Sequence, residues 1–142
     1  MRFRARRSWR ASCAFATEEQ KMATAKESLP KMVEIDGFVG ACIVDSNSGM
    51  MLGAIGGNGV DLEAAAAGNT EVVRAKRKTM RSLNLNDTIE DILITLSKAY
   101  HIIRPLASND ALFIYLVLDR SKANLAMARL SLRQIEKDLV VG

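Results

Sequence analysis

The run Ala111-Leu-Phe-Ile-Tyr-Leu-Val-Leu-Asp119 is almost continuously apolar, and a strand of that composition has no side to offer to water. It must therefore lie inside a sheet covered on both faces. Ser121 to Ile135 follows as an amphipathic helix that folds back onto it, with Leu125, Ala128, Leu132, Ile135 and Leu139 spaced by threes and fours. The unit contains no catalytic nucleophile, metal cluster or phosphate loop, which points away from catalysis and toward binding of other proteins.

The segments before it complete the architecture. Thr17-x-x-Gln20 fits a capping box, and Met22, Ala25, Leu29, Met32 and Val33 predict a helix to about Glu34, with Pro30 expected to kink or shorten it. Phe38 to Asp45 and Met50 to Ile55 read as a hairpin across Ser46–Gly49, and Gly56-Gly-Asn-Gly59 as a joint. Asp61 can cap a second helix of about 20 residues, whose inward stripe is Leu62, Ala65, Ala66, Asn69, Val72, Val73, Met80 and Leu83. Thr88–Ser97 and Tyr100–Leu106 read as a second hairpin, and the apolar run closes the sheet. The order helix, two strands, helix, three strands, helix gives an α/β three-layer sandwich, a five-stranded antiparallel sheet with helices on both faces.

A chain of 142 residues is the size of one domain, and no stretch reaches the roughly 18 uninterrupted apolar residues of a membrane span. The sequence pI of about 9.3 is misleading about the body. Residues 1–21 carry Arg2, Arg4, Arg6, Arg7, Arg10 and Lys21 against Glu18 and Glu19, and beyond them 14 basic and 14 acidic residues cancel. The net charge thus belongs to a leader, 1–21, and not to the domain, 22–142, so no specific nucleic-acid groove follows from it. The leader lacks the apolar core of a secretory signal. It reads as a disordered tail or an upstream start before Met22, with a transit peptide and an anionic-surface tail as alternatives. Cys42, in an apolar run without basic neighbours, reads as a small buried hydrophobe, and the cysteine usage suits a reducing cytoplasm.

Three patterns are candidate sites. Arg74, Arg77, Lys78 and Arg81 fall at i, i+3, i+4 and i+7 on the second helix, with Lys76 beside them, and form either a solvated face or a docking surface for an acidic partner. Thr88–Ser97 is expected at the sheet edge, blunted only by Glu90 and Asp91, and such an edge invites a second chain. His101 is the single histidine, has no acid nearby in sequence, and reads as structural. Gly53-x-x-Gly56-Gly57-x-Gly59 lacks the phosphate-loop ending, Asp45-x-Asn47-x-Gly49 lacks calcium ligands, and Asp119 reads as the last helix's cap.

Two blocks, Ile35-Asp-Gly-Phe-Val-Gly-Ala-Cys-Ile-Val-Asp45 with Gly49, and Leu116-Val-Leu-Asp-Arg-Ser-Lys-Ala-Asn-Leu-Ala-Met-Ala-Arg-Leu130, carry a resemblance. Over about Lys26 to Val140 the chain resembles the roadblock family, named for the roadblock-type dynein light chains, in its bacterial form. The resemblance implies a profilin-like fold and a homodimer in which second helices pair and middle strands meet edge to edge. Val73 and Met80 on the helix and Ile89, Asp91, Leu93 and Thr95 on the edge are the expected dimer residues. It further implies a non-catalytic cytoplasmic scaffold that regulates a nucleotide hydrolase, expected here to be a Ras-like small GTPase, with no cofactor, no metal and no membrane span. A small-molecule-sensing domain and anionic-surface binding through the leader are the alternatives.

Overall fold

The computed structural model describes residues 17–138. Expectations for the leader before Thr17, for Cys13 and for Leu139 lie outside the described residues. Helix α1 spans Glu18–Met32 and opens on the expected capping box: Gln20 N–H donates to Thr17 Oγ1 at 3.1 Å, and Thr17 N–H donates to Gln20 Oε1 at 2.8 Å. Residues 18–21, assigned above to the leader, are therefore the first turn of the folded body, and Lys21 Nζ reaches the Asp45 carboxylate at 3.0 Å. Pro30 lies inside the helix, which ends at Met32, short of Glu34, as expected of a proline that removes one ladder bond.

Strands β1 (Phe38–Asp45) and β2 (Met50–Gly56) form the first hairpin, and helix α2 (Leu62–Ser82) starts at Asp61, whose carboxylate accepts from Ala64 N–H at 3.1 Å. Strands β3 (Ile92–Thr95), β4 (Ala99–Pro105) and β5 (Leu112–Asp119) follow, then helix α3 (Leu125–Asp138). The sheet runs β2-β1-β5-β4-β3 with every pair antiparallel. The apolar run is thus the middle strand of five, and the α/β sandwich with helices on both faces is the observed fold class.

Strand alternation divides the interior into two cores. Leu112, Ile114, Leu116 and Leu118 of β5 meet Leu29 and Met32 of α1 and Leu132 and Ile135 of α3. Phe113, Tyr115 and Val117 point the other way and meet Leu62, Ala66 and Val73 of α2. The turn from β2 into α2 is packed so tightly that a Cβ on Gly40 would lie 2.7 Å from the Gly57 backbone, which is why glycine stands at that point of β1.

Two expectations are corrected. The strand expected from Thr88 starts only at Ile92, because Ile92 pairs with Ile103 and the same register would set Glu90 opposite Pro105, which has no N–H to give. The last helix is capped by Asn124, whose Oδ1 accepts from Met127 N–H at 3.2 Å. Asp119 instead accepts from Ser121 Oγ at 2.7 Å and Ser121 N–H at 3.0 Å, and these bonds, the hydroxyl's first, hold its carboxyl below the usual range.

Candidate functional site

Helix α2 is alone on its face of the sheet and packs against β1 and β2. Its buried stripe, Leu62, Ala66, Thr70 and Val73, stops before Arg74, and beyond that point only Arg77 and Met80 are even half-covered. The helix therefore runs past the sheet, steadied by two arginines. Arg74 Nη2 donates to Asn47 O in the β1–β2 turn at 2.8 Å, and Arg77 Nη2 donates to Asp110 O in the β4–β5 turn at 2.7 Å. The four basic residues expected to act as one face are thus divided by the structure. Arg74 and Arg77 clamp loops, whereas Lys78 and Arg81 are exposed and their side chains make no hydrogen bond or ion pair among the described residues.

The six expected dimer residues are divided as well. Val73 has no exposed surface, so it supports α2 from the core and cannot touch a second chain; its neighbour Val72, 37% exposed, is what the helix presents. Met80 and Ile89 are half-buried on a groove of about 730 Å³ between the end of α2, the 85–90 segment and the β4–β5 turn. Asp91 precedes β3 and is held by Arg129 of α3, whose Nε and Nη2 donate to its two oxygens at 2.9 and 3.1 Å. Leu93 packs against the core under α3, and Thr95 is exposed at the end of β3.

Beside α2 lies a strip of sheet that, among the described residues, the helices cover only in part. Ile92 and Ile94 of β3 and His101 of β4 share the α2 side and are half-buried, and β3 has β4 on one side and, among the described residues, no strand on the other. His101 is not isolated. Its Nδ1 is 3.0 Å from Tyr115 Oη, the rings meet edge to face with centroids 5.4 Å apart, and the Asn69 side chain is a further polar neighbour of the phenol. Burial pushes the His101 imidazole down and, as the largest influence, the Tyr115 phenol up. Sequence reasoning missed this cluster, because Tyr115 is diagonal to His101 across the strand pair and Asn69 is on another element. It also placed Val72 and Leu83 inward, whereas Leu83 is 61% exposed and the following Leu85 51%.

Chemically the surface is suited to contact. Cys42 has no exposed surface, and burial pushes its thiol up to about 12, so it is a poor nucleophile. Among the described residues no three His, Cys, Asp or Glu side chains are grouped to hold a metal, and no helix is long and apolar enough to cross a membrane.

Neither a protein-family model nor a curated protein matches the sequence. Solved structures do match the fold. The chain is similar to MglB of Myxococcus xanthus at 14% identity and a TM-score of 0.65, covering 90% of this chain and 96% of that one. It is similar to a roadblock/LC7 domain from Streptomyces avermitilis at 11% identity and a TM-score of 0.65, over 78% and 88% of the two chains. A third similar structure is an MglB in a tetrameric arrangement, at 16% identity and a TM-score of 0.66, over 81% and 84%.

Proposed function

From the roadblock/LC7 fold that the chain shares with those structures, we propose that it is a non-catalytic regulatory homodimer that binds a small GTPase and modulates its state in the cytoplasm. One observation carries the dimer: the open edge of β3 adjoins the half-covered strip Ile92, Ile94 and His101 and the exposed flank of α2. A free edge and a half-covered apolar face side by side are each costly in water, and a second copy covers both at once. Sheet pairing across a two-fold axis makes the same surface serve both chains.

Gly68 adds a local argument. It stands mid-helix on the exposed side of α2, where a Cβ would meet nothing within 4 Å, so nothing among the described residues requires a residue that weakens a helix by about 1 kcal/mol. A neighbouring helix at close range supplies a reason. The docking role falls on Lys78 and Arg81, the exposed pair of the basic cluster, which suit an acidic surface on the GTPase. Modulation needs no chemistry from this chain, because ordering a partner's switch segments is sufficient to change its state.

Light scattering on the purified full-length protein at micromolar concentration is expected to give twice the chain mass. Affinity capture is expected to recover a Ras-like GTPase with the wild type and to lose it with a Lys78→Glu/Arg81→Glu variant. A monomer that recovers no nucleotide-binding protein would refute both parts.

A further inference from the structure

His101 is the only histidine in the chain, and the fold sets it on the strip of sheet that α2 covers only in part, between Ile94 of the neighbouring strand and Tyr115 of β5. We propose that this imidazole makes the pairing of two copies sensitive to protons, so that acid releases monomers with their fold intact. The inference rests on the dimer reading above, since it is the second copy that completes the burial of His101.

The groups around the ring fix the sign. From β5 it meets the Tyr115 phenol, which has the neutral Asn69 side chain of α2 as a further neighbour; from β3 it meets Ile94, with Ile92 two residues on, and neither carries a charge. The Cys42 thiol, near Tyr115, is neutral because burial pushes it up to about 12. Of the charged groups on this side, Lys76, Asp87, Glu90 and Asp91 line a groove at the Ile92 end, with Asp91 held by Arg129 of α3, and Asp119, two residues along β5 from the Val117 opposite His101, spends its carboxylate on Ser121. Among the described residues no carboxylate bonds the imidazole. A neutral ring can accept the phenol's proton at Nδ1, so the pair is satisfied without charge. A protonated ring covered by a second apolar face loses its water and gains no counter-charge.

Burial already pushes His101 down within one chain, and further covering acts in the same direction. The dimer then binds fewer protons than two separate chains. Association is therefore full above the unperturbed histidine value of about 6.5 and weakens as pH falls below the value in the free monomer. With one such ring per copy, the limit is about a 100-fold rise in dimer Kd per pH unit, tenfold for each imidazole.

Sedimentation velocity of the tag-free full-length protein from pH 8 to pH 5 reads this directly, with circular dichroism at each pH to confirm that the released chains stay folded. The wild type is expected to be a dimer at pH 8 and to lose affinity as the pH falls below the lowered value of His101 in the free monomer. His101→Gln and His101→Phe are expected to dimerise with a flat profile, and either variant alone decides the matter if the other does not fold. A wild-type dimer whose affinity is unchanged across the range, or a variant that keeps the slope, overturns the proton sensitivity and leaves the dimer standing. A wild-type monomer at pH 8 overturns both.

Discussion

Single residues reveal how closely the two cores are filled. Replacing Gly40 with alanine sets a methyl group 2.7 Å from the Gly57 backbone, where no flexible side chain can yield. A loss of about 1–3 kcal/mol is expected, read as a lower denaturant midpoint with an unchanged slope. Cys42, with its thiol pushed up to about 12, is expected to resist disulfide reagents at pH 8 in a Cys13→Ser background and to react only on unfolding. Rapid labelling of the native protein would contradict that placement. At this scale the sequence was informative about burial where patterns were strong, as for Cys42, and silent where partners came from elsewhere. The Tyr115–His101–Asn69 cluster joins β5, β4 and α2, and nothing local in any of the three segments announces it.

At the scale of elements, β1, β2, β5 and both ends of α2 were legible because alternation, turn residues and caps agree. The Ser46–Gly49 turn closes as expected, with Gly49 N–H donating to Asp45 O at 2.7 Å and Gly49 at φ 77°. Helical phase was less legible: a stripe containing both Val72 and Val73 spans about 100° of arc, and only Val73 is buried. The length of β3 depended on Pro105, a residue of its partner strand, and so could not be read from residues 88–97 alone. Division of the basic cluster on α2 leads to separable predictions. Arg77→Ala removes the bond to Asp110 O and is expected to cost about 1 kcal/mol of stability. Lys78→Glu/Arg81→Glu is expected to leave the melting temperature almost unchanged while abolishing capture of the acidic partner. Equal stability losses in the two variants would show that the cluster acts as one unit after all.

For the molecule as a whole, the uneven cover of the sheet matters most. One face carries α1 and α3, and the other carries α2 alone, over β1 and β2, beside an apolar strip and an open strand. Ile94→Lys sets a charge in the middle of that strip and is expected to yield a folded monomer, checked by sedimentation and circular dichroism. Loss of fold together with loss of dimer would place Ile94 in the chain's own core instead. Amide hydrogen exchange of residues 92–95, followed across protein concentration, tests the joining of two β3 edges most directly. The outward amides of β3 are expected to exchange quickly in dilute protein and to become protected in step with the rise in measured mass. Fast exchange of those amides in a sample whose mass is already that of a dimer would contradict the pairing.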